Sequence, residues 1–109
     1  VPEDRSKSGL AAWREGMEVL AEQTNVKIKI SGIGEMGHAW SVERNAGVVR
    51  EVIRIFGVDR CMFASNYPVD RLVGSFATIF NGFLAITKDL SDGDRRKLFH
   101  DNAAAAYRL

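Results

Sequence analysis

Apolar positions along the chain switch between two periods. Over residues 10–23, Leu10, Trp13, Met17 and Leu20 recur at helical spacing, with Arg14, Glu15, Glu18 and Glu22 mostly on the other side. That spacing predicts an amphipathic helix, with Ser8 as its N-cap and Asn25 as its stop. Residues 1–9, VPEDRSKSG, are polar and read as a loop. Residues 26–31, VKIKIS, alternate strictly, so Val26, Ile28 and Ile30 face one way and Lys27, Lys29 and Ser31 the other. This is a strand with one apolar and one polar face. A second stripe, Val42, Ala46, Val49, Ile53 and Phe56, predicts a helix over 42–56, capped by Ser41 and ended by Gly57. Residues 60–65, RCMFAS, form a second, more continuously apolar strand, broken by Asn66-Tyr67-Pro68. A hydrophobic helix over about 72–87 carries Leu72, Phe76, Ile79, Phe80, Phe83 and Leu84. Ser91 with Asp94 resembles a capping box. It opens a last helical region that runs into AAAAYRL, with His100-Asp101-Asn102 as a point of interruption.

The expected order is helix, strand, helix, strand, helix, helix. A strand–helix–strand unit with a 28-residue crossover makes the two strands parallel neighbours. Parallel sheets are normally larger and covered on both faces. Two strands alone leave two open edges, which must be paired or blunted. The pattern is that of a piece of a larger α/β fold, or of a chain that completes its sheet with other copies. The apolar content of the helix over 72–87 adds to the same expectation, a homo-oligomer and specifically a dimer.

Composition narrows the class. A chain of 109 residues, 46% hydrophobic and 27% charged, is one soluble globular domain spanning 1–109. Fifteen Lys and Arg against fourteen Asp and Glu give a net charge of +1, which makes no electrostatic case for nucleic acid or an anionic membrane. No apolar run approaches the ~18 residues of a membrane span, and no signal-peptide core is visible, so the expected location is cytoplasmic. The chain begins at Val1 without an initiator Met, which reads as a start removed or a cut from something longer. The single cysteine, Cys61, excludes an internal disulfide and a multi-cysteine zinc site. It alternates away from Asn66 and reads as a small core residue.

Two segments could carry chemistry. Gly32-Ile33-Gly34-Glu35-Met36-Gly37 is a literal G-x-G-x-x-G after a strand. A dinucleotide site needs a helix opening on those glycines and an acidic residue after the second strand. Here the helix starts near Ser41 and the strand ends in Ser65-Asn66, so neither NAD nor ATP is expected to bind. The plain alternative is a βα loop that needs positive φ. The more specific segment is Cys61 to Asp70, CMFASNYPVD, which puts Asn66 at the carboxyl end of a parallel strand, where α/β folds build their sites.

RCMFASNYPVDRL resembles the last barrel strand of the amidohydrolase-related family, the "amidohydrolase 2" group of TIM-barrel metal-dependent hydrolases. VPEDRS with GLAAWREGM is similar to the loop and helix before the penultimate strand, VKIKISGIGEMGHAW to that strand and its loop, and LFHDNAAAAYRL to the terminal signature. The resemblance covers essentially the whole chain. It implies an α/β fold, a partial (β/α)8 barrel supplying the last two strands and about four helices, completed by oligomerisation. It also implies hydrolysis of a lactone or amide-type bond in a small-molecule substrate, and a divalent metal such as Zn or Mn in full-length relatives. Asn66 stands at the position that is usually Asp, a metal ligand and general base. By that position Asn66 is a candidate catalytic residue, with His38; Asn cannot act as a base at neutral pH, which counts against metal dependence and leaves Asn66 able to bind substrate. The expectation is a truncated form without independent catalysis, with no metal or other cofactor in this chain. The alternative is an oligomerising structural or small-molecule-binding fragment.

His38, in the loop after the first strand, is a candidate acid, base or ligand, or an ordinary loop histidine. Lys29 would face a barrel lumen and an anionic substrate, or simply water. Ser65 joins Asn66 on the candidate substrate face. Asp70 is expected to cap the next helix or to line the site. His100 is expected to be structural.

Overall fold

The computed structural model describes residues 2–108. The first helix, α1 (Lys7–Ala21), starts earlier than its apolar stripe. Ser6, not Ser8, is the cap: its Oγ accepts from Gly9 N at 3.1 Å, and its own N–H donates to Asp4 Oδ1 at 2.9 Å. The strands β1 (Ile28–Ile30) and β2 (Cys61–Phe63) are parallel, with Ile28, Lys29 and Ile30 opposite Cys61, Met62 and Phe63. Both are shorter than the six-residue runs that suggested them. Each strand pairs along one edge only, and the ladder ends one bond beyond β2, where Ala64 N donates to Ile30 O at 3.1 Å.

Helix α2 (Val42–Phe56) has the expected bounds. Ser41 Oγ accepts from Arg44 N at 3.3 Å, and Gly57, at φ +81°, supplies the backbone turn that ends it. The apolar segment over 72–87 divides in two. A 3₁₀ turn spans Val69–Leu72, and α3 (Phe76–Ile86) begins only after Ser75, whose Oγ accepts from Thr78 N at 3.0 Å. The hydroxyl of Tyr67 donates to Gly74 O at 2.6 Å, so the chain before Ser75 is tied into a loop. The last region is α4 (Asp92–Arg96), a π turn over Lys97–Asp101 and α5 (Asn102–Tyr107), running on without a break. His100-Asp101-Asn102 thus mark a wide turn within one helical segment.

The core lies between the strand pair and the layer of α2 and α3. Ile30, Val49, Val52, Cys61, Ile79, Phe83 and Leu98 are buried, and α1 packs outside α2. Trp40, not singled out by periodicity, is also buried, its ring edge-on to Phe83 at 5.4 Å. The slot for it is made by glycines: a Cβ at Gly82 would lie 2.1 Å from the indole, and one at Gly74 3.2 Å from Trp40 Cβ. Val69, Leu72, Phe76 and Phe80 are exposed, and the rings of Phe76 and Phe80 stack with centroids 5.7 Å apart. No helix among the described residues is long and apolar enough to cross a membrane.

Candidate functional site

The carboxyl ends of β1 and β2 lead into two loops that meet at Gly32 and Asn66. Gly32 adopts φ +63°, and a Cβ there would sit 3.0 Å from Asn66 Nδ2. Asn66 itself adopts φ +54°. Among residues with a side chain, Asn is one of the few that enter the left-handed region readily. The following Tyr67–Pro68 peptide is cis. The side chain of Asn66 is exposed, and its Nδ2 donates to Asp70 Oδ1 at 2.9 Å, while Asp70 N donates back to Asn66 O at 3.0 Å. Asp70 is buried, at 8% exposure. Its main-chain oxygen accepts from Val73 N and Gly74 N, so the loop 66–74 is a closed hydrogen-bonded unit. Ser65 Oγ accepts from Tyr67 N at 3.2 Å and keeps its own proton to donate.

Asp70 therefore does not cap α3, which is the work of Ser75; it holds the amide of Asn66. The structure brings Asn66, Ser65 and Asp70 together. It places the other two candidate residues elsewhere. Lys29 Nζ lies over the ring of Tyr107, 5.7 Å from its centroid. Tyr107 belongs to α5, which Asn102 fastens to the opening residue of β2, so Lys29 is engaged with that helix and is not brought to Asn66. His38 is exposed in the β1–α2 loop, its N–H on Glu35 O at 3.1 Å. It lines a shallow groove of about 320 Å³ with Glu3, Arg5, Glu35 and Met36, a set that does not include Asn66. His100 is exposed, with Nδ1 3.0 Å from Asp101 Oδ1.

The glycine loop does not form a phosphate cradle. Gly32 and Gly37 have positive φ, but α2 starts five residues after Gly37, and Gly34 instead packs against Val73, whose Cγ2 a Cβ there would approach to 2.7 Å. Cys61 is fully buried, with Sγ 3.9 Å from Val52 O, and loss of hydration pushes its thiol up to about 11. It is not placed as a nucleophile. Among the described residues no three His, Cys, Asp or Glu side chains come together as metal ligands. A zinc centre takes at least three protein ligands, so the residues present do not fit one.

Two residues that brace the strand pair and its loops escaped the sequence reading. Arg5, in the polar leader, donates through Nη1 to Arg44 O at 2.8 Å and Asn45 Oδ1 at 3.1 Å, and through Nη2 to Ile33 O. It pins the β1–α2 loop to the start of α2. Asn102 Nδ2 donates to Val58 O at 2.5 Å and Cys61 O at 2.7 Å, fixing the opening of β2. Neither contact has a local signal, since the partners lie 28–44 residues away.

Comparison with known proteins gives one consistent family. The amidohydrolase family model matches residues 1–109. An uncharacterised protein, y4mH, of Sinorhizobium fredii is 48% identical over 102 residues, covering 94% of this chain and 34% of its own length. The L-fucono-1,5-lactonase of Burkholderia ambifaria is 34% identical over 104 residues, covering 90% of this chain and 36% of its own. The crystal structure of an amidohydrolase from Burkholderia multivorans with bound HEPES superposes with a TM-score of 0.90 at 26% identity, over 97% of this chain and 39% of that one. The chain thus spans about a third of the length of the curated relatives it matches.

Proposed function

The chain belongs to the amidohydrolase family, and on that premise we propose that it forms the ligand-facing end of a lactone-hydrolysing barrel, contributing the last two strands. In this reading Asn66 holds the substrate and does not activate water. The observation that carries it is the setting of Asn66: exposed at the carboxyl end of β2, left-handed, and anchored through its amide to the buried Asp70. An amide is not a base at neutral pH, and Asp70 is already engaged with that amide. Asn66 and Asp70 therefore bind and orient a ring without supplying the base for water attack, His38 lines a different groove, and the chain is proposed not to catalyse on its own. The lactonase among the relatives supports a cyclic ester as substrate class.

The test is hydrolysis of L-fucono-1,5-lactone followed by pH-stat. The 109-residue chain should give no rate above buffer. A chimera carrying this segment in place of the matching third of the L-fucono-1,5-lactonase should hydrolyse the lactone, the base for water attack coming from the lactonase's own remaining two thirds. In that chimera Asn66→Ala should raise KM roughly tenfold with kcat little changed, the signature of a lost binding contact. Turnover by the isolated chain, or a chimera in which Asn66→Ala abolishes kcat at constant KM, would show instead that Asn66 takes part in the chemistry.

A second reading rests on a different observation. Leu72 is 69% exposed and Phe76 51%, and Phe76 stacks on the exposed Phe80 with ring centroids 5.7 Å apart. Exposed apolar surface of this kind marks an association surface. In this reading the chain is an oligomerising fragment, with a second copy over the 3₁₀ turn and α3.

A further inference from the structure

The amide of Asn66 has a fixed orientation, and that orientation has consequences for what can bind. We infer that Asp70 is a positioning residue that sets Asn66 to present its carbonyl oxygen outward, making the site selective for a neutral, hydroxyl-bearing ring over a carboxylated one. This rests on the reading of Asn66 as a ligand-binding side chain. Asp70 Oδ1 accepts at 2.9 Å, so the atom facing it must be Nδ2; with the amide reversed, two oxygens would face each other with no proton between them. The reciprocal bond from Asp70 N to Asn66 O, and the left-handed backbone at Asn66, fix the side chain relative to the loop. Gly32 leaves room on the Nδ2 side and nothing more, since a Cβ there would come to 3.0 Å.

What remains for a ligand is Oδ1, an acceptor with no hydrogen bond from the described residues, on an exposed side chain. A ring hydroxyl can donate to it. A ligand carboxylate cannot, and it would also meet the charge of Asp70 one side chain away. A like charge at about 6 Å, at an effective permittivity of about 40, disfavours the anion roughly tenfold. The hydroxyl of Ser65, tied by Tyr67 N, offers a proton to the same ligand.

The experiment uses the 109-residue chain and two probes that are not hydrolysed: a polyhydroxylated δ-lactam and glutarate. Binding is followed at millimolar concentration by ¹H–¹⁵N spectra. The expected result is a preference of at least roughly tenfold for the lactam. One Asn66 Hδ2 resonance should be displaced downfield by its bond to the carboxylate. Asp70→Asn, nearly the same shape but able to donate as well as accept, should free the amide to turn. The displaced resonance should then return to the ordinary side-chain range and the preference fall toward unity. Asp70→Asn with both affinities lowered in proportion and the resonance unmoved would mean a purely structural role, and would overturn the inference. Binding of neither probe to the wild type would overturn the selectivity. Because no step requires turnover, failure of lactone hydrolysis in the chimera would leave these readouts intact and would count only against the hydrolytic reading.

Discussion

Replacing Asn102 tests how the strand pair is held. Its amide nitrogen gives one proton to Val58 O at 2.5 Å and the other to Cys61 O at 2.7 Å, and Cys61 is fully buried. Asn102→Ala removes both donors and leaves two carbonyls short of a partner. A buried group left unsatisfied costs about 1–3 kcal/mol, and the two here share one donor and do not add fully, so a loss of about 2–4 kcal/mol is expected. A domain of this size has about 5–15 kcal/mol to lose, so the change is a large fraction of the whole. Asn102→Asp sharpens the test. It keeps the shape of Asn but offers oxygens to two carbonyls, so it should destabilise more than alanine does. The assay is equilibrium urea unfolding by circular dichroism, with the slope against urea unchanged and the midpoint lowered. Alanine within about 0.5 kcal/mol of wild type, or aspartate no worse than alanine, would refute the brace.

Burial of Cys61 raises its thiol from an ordinary value of 9.0 to about 11, so thiol reagents should label it only at the rate of unfolding. Rapid stoichiometric labelling of the native chain would contradict this. The folded state holds the proton that the unfolded state gives up first, so stability is complete below about pH 9 and falls as pH rises toward 11; Cys61→Ala should remove that slope. Gly82→Ala, although alanine is the better helix former, should destabilise by about 3 kcal/mol because the new Cβ would sit 2.1 Å from the Trp40 ring. A double-mutant cycle with Trp40→Phe should recover much of the loss, and additive effects would show that the two do not compete for space. If a second copy covers the apolar face, sedimentation velocity should show a dimer that Phe76→Asp converts to a folded monomer; a monomeric wild type at micromolar concentration would end the oligomer reading.

What the sequence made legible depended on how local each cause was. The bounds of α2 could be read because both ends are set within a few residues, by Ser41 at one and Gly57 at the other. The start of α3 could not, because Leu72 and Val73 carry the apolar run of the helix back into the preceding loop. Their path is set by Asn66 and Asp70 clasping each other and by the Tyr67 hydroxyl reaching Gly74. Pro68 announced a break but not that the break would be a built loop. Asp70 could be read as a cap or a site residue, and only the fold shows that it serves the site by fixing a neighbour. Trp40 looked like the end of a loop. It is core because Gly34, Gly74 and Gly82, scattered over three segments, leave it a slot. Asn102 looked like a helix interruption, and its partners are 41 and 44 residues away.

Those contacts divide the strand pair into two ends of different character. A ladder of three residues per strand is too short to hold its own ends. The amino-terminal end is held by donors reaching into main-chain carbonyls across the fold: Asn102 into Val58 and Cys61, and Arg60 into Ala21, Gln23 and Phe56, with its guanidinium over the Phe56 ring. At the carboxyl end Arg5 braces the β1 loop, and Trp40 N braces the loop after β2 by donating to Val73 O at 2.8 Å. The first part of that loop is held by its own bonds, through Asn66, Ser65, Tyr67 and Asp70. Asn66 stands on this self-held part, where the resemblance places an Asp. Substitutions at Asn102 or Arg60 should move the unfolding midpoint and leave ligand preference alone, whereas substitutions at Asn66 or Asp70 should change ligand preference and add a cost in stability wherever the left-handed backbone or the buried clasp is not kept.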